Sequence, residues 1–187
     1  MVASEFNASQ NERVGVQQLA QPLDFIVGEH EHQLLICEKL ANLPFERDAS
    51  RAAEKAVSVS VYLNEALPLH MEDEEKDLFP LLRLRCKPGD QIDTILDQLH
   101  SEHAYDAELV KVILPDLRAI VDGSDISDPV YFRVNALAFC EIQRRHINWE
   151  TAVVIPLARR RLSKADLTEL GRSMMARRPN LVGAQPS

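Results

Sequence analysis

Residues 70–85, HMEDEEKDLFPLLRLR, decide the reading of this chain, because the pattern returns at residues 146–161 as HINWETAVVIPLARRR. Both copies fit H-x3-E-x5-P-L-x-R-x-R. The pattern pairs His70 with His146, Glu74 with Glu150, Pro80 with Pro156, and Arg83 and Arg85 with Arg159 and Arg161. Residues four apart on a helix share a face, so each copy can present an imidazole and a carboxylate to one point. A Glu-His pair precedes each copy: Glu29-His30 before the first and Glu102-His103 before the second. The chain reads as two copies of one helical hairpin, each supplying two histidines and one glutamate.

Working outward, the apolar spacing predicts four long helices. The first covers residues 21–43, with Leu23, Val27, Leu34, Cys37 and Ala41 in one stripe with His30; His32 lies about 200° away from His30 and faces outward. The second covers residues 48–86, with Val59, Leu63, Leu67, His70, Glu74, Leu78 and Leu81 on one face and a kink or break expected at Pro68 and Pro80. The third, residues 91–121, turns Leu96, Leu99, His103, Val110 and Ile113 inward, with a bend expected at Pro115. The fourth, residues 129–162, does the same with Phe139, Ile142, His146, Glu150, Val153 and Leu157. Ser163, with Asp166 three residues on, reads as the N-cap of a short fifth helix over residues 163–178. Residues 1–18 and 179–187 read as tails. Short connections favour antiparallel neighbours, so the expected fold is all-α: an antiparallel up-down-up-down four-helix bundle over residues 19–162, followed by the fifth helix.

Composition agrees with that fold and narrows the function. At 187 residues the chain can bury one substantial core, and six glycines leave little for turn-rich β architecture. No apolar run approaches the roughly 18 residues a membrane span needs, and the first residues lack the basic and apolar regions of a secretory signal. Cys37, Cys86 and Cys140 are odd in number, without CxxC spacing, and read as reduced thiols. A cytoplasmic protein is the expectation. Net charge is −8, which argues against broad nucleic-acid binding. The basic end, with nine Lys/Arg against four Asp/Glu in residues 141–187, reads chiefly as arginines complementing helix C-termini.

The chemistry lies in the six repeated groups. One inward histidine is usually a hydrogen-bonded core residue, and one His-Glu pair is usually a surface ion pair. Four imidazoles and two carboxylates on apolar stripes at matched levels are different, because burying them without a cation is costly. Imidazole and carboxylate ligation without thiolate favours iron or manganese, with zinc possible. Two bridging glutamates and two histidines per ion leave positions open for a small ligand such as oxygen, nitric oxide or peroxide. Protons compete with metal for the same groups, so metal-free protein is expected to lose stability on acidification sooner than loaded protein.

HMEDEEKDLFP at residues 70–80, EHEHQ at residues 29–33, Glu102-His103 and HINWE at residues 146–150 resemble, in order, the ligand helices of the hemerythrin-like, or HHE cation-binding, family. The resemblance implies a four-helix bundle holding a non-haem di-iron centre, with His30, His70, Glu74, His103, His146 and Glu150 as metal ligands. The oxygen-carrying members have a fifth histidine in an H-x3-H pair on the third helix. Here the positions four from His103 are Leu99 and Ala107, so the set is closest to the four-His, two-Glu members. The resulting expectation is a protein that binds or senses a small oxidant or diatomic ligand in redox or stress signalling, with a protein signalling or reductase partner. The alternatives are a di-iron oxidoreductase, an iron donor for nitrosative or oxidative damage repair, and a metal-stabilised structural or iron-storage bundle.

Overall fold

The structure, a computed structural model, describes residues 19–179, all of them helix or short connection, with no strand among the described residues. Helix α1 is Pro22–Asn42, and Pro22 opens it at a position where a missing N–H costs nothing. Helix α2 runs over residues 49–85 as three α-helical segments, Ala49–Val61, Leu67–Asp73 and Phe79–Arg85. Helix α3 is Asp93–Val121. Helix α4 runs over residues 129–161 as Pro129–Trp149 and Ile155–Arg161. Helix α5 is Lys164–Ala176, and its N-terminus carries the capping box foreseen in Ser163 and Asp166. The two expected tails fall outside the described residues, apart from Pro179.

The prolines act differently from the kink or break read from the sequence. The long helices continue past them because a wide π turn precedes each one: Tyr62–Ala66 before Pro68, Glu74–Leu78 before Pro80, and Glu150–Val154 before Pro156. In each turn a main-chain N–H reaches back five residues, Leu67 to Tyr62, Phe79 to Glu74 and Ile155 to Glu150. The wider turn lets the next segment begin with proline in its first turn, where no donor is required. Pro115 sits inside α3 without interrupting it.

Two apolar cores fill the bundle. One gathers Leu23, Ile26, Leu78, Leu82, Leu96, Leu99, Val154 and Ala158 with Leu170 and Met174 of α5. The other gathers Ile36, Leu40, Val59, Leu63, Leu67, Leu109, Ile113, Phe132, Ala136 and Phe139. The register differs slightly from the sequence reading. In α1, Leu34 is exposed, while Ile26, Gln33 and Ile36 are buried; in α2, Leu82 is buried and Leu81 half-buried. Contacts between helices pair Asp24 with Arg159, His30 with Glu150 and Cys37 with Cys140, and likewise Arg83 with Asp97 and His100 with Glu75.

The terminal arginines of the two repeats tie the helices together at one end of the bundle. Arg85 holds Asp166, the capping acid of α5, at 2.8 Å, and Arg161 holds Asp90 at 2.7 Å. Arg160 also reaches Asp90, and Arg159 reaches Asp24, so the basic cluster is engaged within the chain. Arg161 and Arg85 hold the carboxyls of Asp90 and Asp166 well below the usual carboxylate range.

Helix α5 packs so closely on the start of α1 that a Cβ on Gly171 would lie 2.4 Å from the main-chain oxygen of Leu19. A backbone atom cannot swing aside as a side chain can. Gly171→Ala should therefore destabilise the fold by about 1–3 kcal/mol, the usual range for overpacking. Denaturant midpoints of the two proteins measure this, and an unchanged midpoint would refute the tight α1–α5 contact.

Candidate metal centre

Between the two apolar cores lies a band of six polar side chains: His30 from α1, His70 and Glu74 from α2, His103 from α3, and His146 and Glu150 from α4. None is more than 7% exposed. They fall into two groups that share both glutamates: His30, His70, Glu74 and Glu150, and Glu74, His103, His146 and Glu150. Within each group one ligand atom per residue lies within 4.8 Å of all the others. His30 Nε2 is 3.1 Å from Glu150 Oε2 and 3.7 Å from Glu74 Oε1. His70 Nε2 and His103 Nε2 are 3.5 and 3.3 Å from Glu74 Oε2, and His146 Nε2 is 3.0 Å from Glu150 Oε1. The two oxygens of Glu150 thus face different histidines, as a bridging carboxylate requires. Both glutamates open a π turn, so each carboxylate leaves the helix where the backbone is widest.

The residues fit a pair of cations by a test internal to the site. His30 Nε2, His70 Nε2, both oxygens of Glu74 and Glu150 Oε2 are buried yet satisfy no hydrogen bond, although several lie close to oppositely charged atoms. They point at common positions rather than at one another. Ligand atoms held about 2.0–2.2 Å from one ion sit roughly 3–4.4 Å apart depending on the angle between them, a range that contains the 3.0–3.7 Å separations seen here. Buried polar groups without partners are rare, and a shared cation satisfies all of them at once.

Three further carboxylates hold the imidazoles from behind. Glu29 lies 3.1 Å from His70 Nδ1, Glu75 lies 2.7 Å from His103 Nδ1, and Glu102 lies 3.3 Å from His146 Nδ1. A carboxylate at Nδ1 fixes the proton there and leaves the Nε2 lone pair for a metal, the usual arrangement around ligand histidines. Phe79 stacks on His103 with the rings 2° from parallel and sets its plane. His30 has no such carboxylate: its Nδ1 is buried without a partner.

The same charges explain the proton affinities. Burial opposes protonation of His30 and His103, but hydrogen bonds to Glu150 and Glu74, and to Glu74 and Glu75, raise both to about 9. His146, against burial, is pushed up to about 11 by Glu150 and Glu102, and His70 is also raised, by Glu74 and Glu29. Glu74 stays well below the usual range despite burial, because His70, His103 and His30 surround it. The buried carboxylates therefore favour the protonated imidazoles against desolvation, and in metal-free protein protons compete for the positions a metal would take. This overturns the expectation of acid-sensitive neutral imidazoles: the buried carboxylates outweigh desolvation.

Residues around the six have lesser roles. His32 is exposed and packs edge-on against Tyr62. His100 is exposed and shares Glu75 with His103. Tyr105 and Trp149 are both about half exposed, so neither enters the site or the core. Glu29, Glu75 and Glu102 each lie within hydrogen-bond distance of one of these imidazoles. Sequence reading missed two buried networks. In one, Gln143 donates to Asp106; both are buried, as is Gln33. In the other, Asp73 binds Arg177 and Arg178 at 2.7 Å each, and Arg178 also reaches Glu29, tying the end of α5 to the carboxylate behind His70. The available signal was position: Gln33, Asp106, Gln143 and Asp73 each stand three residues from a ligand histidine.

Comparison with known proteins agrees with this geometry. A Haemophilus influenzae protein described as uncharacterized is 29% identical over 164 residues, covering 84% of this chain and 90% of that protein. The family model for the hemerythrin HHE cation binding domain matches residues 21–158, a span that contains all six buried histidines and glutamates. The chain belongs to the hemerythrin HHE cation-binding domain family.

Proposed function

We propose that this protein carries a non-haem di-iron centre on His30, His70, Glu74, His103, His146 and Glu150, and that it binds or senses a small oxidant or diatomic ligand. The observation that carries this reading is the pair of four-residue groups sharing two glutamates, with their ligand atoms unpartnered inside an apolar bundle. Bound iron would supply redox chemistry and open coordination. The chain's residues would supply the rest: Glu74 and Glu150 would be shared between the two ions, Glu29, Glu75 and Glu102 orient imidazoles, and the apolar cores on either side exclude water. An up-down-up-down antiparallel topology belongs to the same proposal. It is supported by contacts whose numbers run in opposite directions, 24 with 159, 30 with 150 and 37 with 140. No helix among the described residues is long and apolar enough to cross a membrane. A signalling or reductase partner completes the proposed role, since no dinucleotide motif of the G-x-G-x-x-G type is present in the sequence to feed electrons internally.

Metal analysis combined with the optical spectrum of anaerobically reduced and then aerated protein tests the assignment. Two iron per chain and a near-ultraviolet ferric band on aeration are expected; spectrally silent zinc in protein purified from its own host would refute it.

Replacing Glu74 or Glu150 by alanine removes a bridge and leaves imidazoles facing an uncompensated cavity. Each variant should lose at least one metal equivalent per chain. Two metals retained in both single variants would show that neither glutamate bridges.

Metal-free protein should show an inverted pH dependence. Groups whose folded pKa is raised stabilise fully below the unfolded value, about 6.5 for histidine, and lose that contribution as pH rises through the folded value. For His30 and His103 that window runs from about 6.5 to about 9. Metal-free protein should therefore lose stability from near neutral pH towards pH 9, while loaded protein, whose imidazoles are held neutral by metal, changes little. The gap between their melting temperatures should widen with rising pH. A gap that instead widens towards pH 5 would contradict the carboxylate-dominated electrostatics.

A further inference from the structure

Seven residues along α1 from His30, and six along α4 from His146, two thiols meet inside the bundle. Cys37 and Cys140 are both fully buried. The Cys140 thiol donates to the Cys37 main-chain carbonyl at 3.3 Å, which brings the two cysteines together. Ala41 and Ala136, both small, accompany them in the same core and allow α1 and α4 to approach closely. At 1.5 Å per residue the thiols lie about 9–10 Å along their helices from the ligand histidines. Cys86, the third cysteine, is partly exposed and belongs to the other core.

The turn of each helix between thiols and imidazoles is polar. Gln33 on α1, Asp106 on α3 and Gln143 on α4 are buried one turn from His30, His103 and His146. Gln33 Oε1, Asp106 Oδ1 and Gln143 Oε1 have no hydrogen-bond partner, so three acceptors stand between the thiols and the metal centre. An otherwise apolar bundle gains nothing in stability from such a layer. It does offer a route for protons between the two sites.

We propose that Cys37 and Cys140 are an internal two-electron donor to the metal centre, forming a disulfide between α1 and α4 when a peroxide is reduced there. The proposal rests on the metal reading above. The balance closes with hydrogen peroxide as oxidant: two S–H bonds and the O–O bond break, and one S–S bond forms. Two electrons pass from sulfur to oxygen, and the two thiol protons leave in two molecules of water. Burial keeps bulk oxidants from the thiols, so oxidation through the centre is the fast route. The Cys140 sulfur already lies against the Cys37 backbone, and joining the two sulfurs requires Cα atoms about 4.4–6.8 Å apart.

The test uses the full chain carrying Cys86→Ser, reduced, in metal-loaded and metal-free forms whose metal content is measured. Each receives one equivalent of hydrogen peroxide, is quenched in acid, denatured and alkylated, and is mapped by mass spectrometry. The Cys37–Cys140 linked peptide should form at least about tenfold faster in loaded protein, since thiol oxidation otherwise follows exposure. Adding Cys140→Ser, or separately Cys37→Ser, should abolish the link while metal content stays the same. Loaded protein that keeps both thiols open to alkylation, or metal-free protein that oxidises as fast, overturns the proposal and leaves the metal reading intact. A chain that takes up no metal overturns both.

Discussion

Everything in this fold answers to one electrostatic constraint: four imidazoles and two carboxylates are buried at one level of an apolar bundle. Taking so many polar groups out of water is unfavourable unless cations or protons compensate them. The carboxylates are the stronger partner. Glu74 and Glu150 remain depressed and the surrounding histidines raised, in spite of burial, so the site demands positive charge whatever supplies it. Metal ions must then displace protons from imidazoles rather than enter a neutral pocket, and affinity is coupled to pH from the outset. The two apolar cores keep water from compensating the charge instead.

The constraint explains backbone features that would otherwise look like defects. A proline six residues after Glu74 and after Glu150 removes a main-chain donor, and the π turn that accommodates it begins at the glutamate itself. The third such turn, before Pro68, begins at Tyr62, a residue whose buried hydroxyl has no partner. Wide turns of this kind concentrate at functional sites. Here the sequence pattern H-x3-E-x5-P encodes both the ligand pair and the local widening that projects it.

The long helices, the six inward groups and the capped fifth helix were legible in the sequence because periodicity and capping act locally. Two further layers were not. The arginines of each repeat reach an aspartate five residues on in the other copy, Arg85 to Asp166 and Arg161 to Asp90, although Arg85 and Asp90, like Arg161 and Asp166, are themselves five apart. The repeat therefore extends to H-x3-E-x5-P-L-x-R-x-R-x4-D, but the pairing crosses between copies, and nothing in one copy alone reveals a crossed clamp. The carboxylates behind the imidazoles were ambiguous for a similar reason. Glu75 is adjacent in sequence to Glu74 but serves His103 on another helix, and only packing decides which neighbour a half-exposed acid meets. The proline reading failed because sequence identifies the lost donor but not how the preceding turn absorbs it.

The repeat is also where the two halves part company. Glu29 backs His70 and Glu102 backs His146, the same relation in each copy. Glu75 then backs His103, and the matching position in the second copy is Thr151, an exposed residue. That leaves His30 as the one ligand-position histidine whose Nδ1 has no partner. A carboxylate behind an imidazole raises its basicity and fixes its ring. The group containing His103 and His146 therefore has two strengthened donors, and the group containing His30 and His70 has one. Two cations held by these groups would face unequal surroundings despite the symmetry of the repeat, and the less constrained position is the one that includes His30, on the helix that carries Cys37.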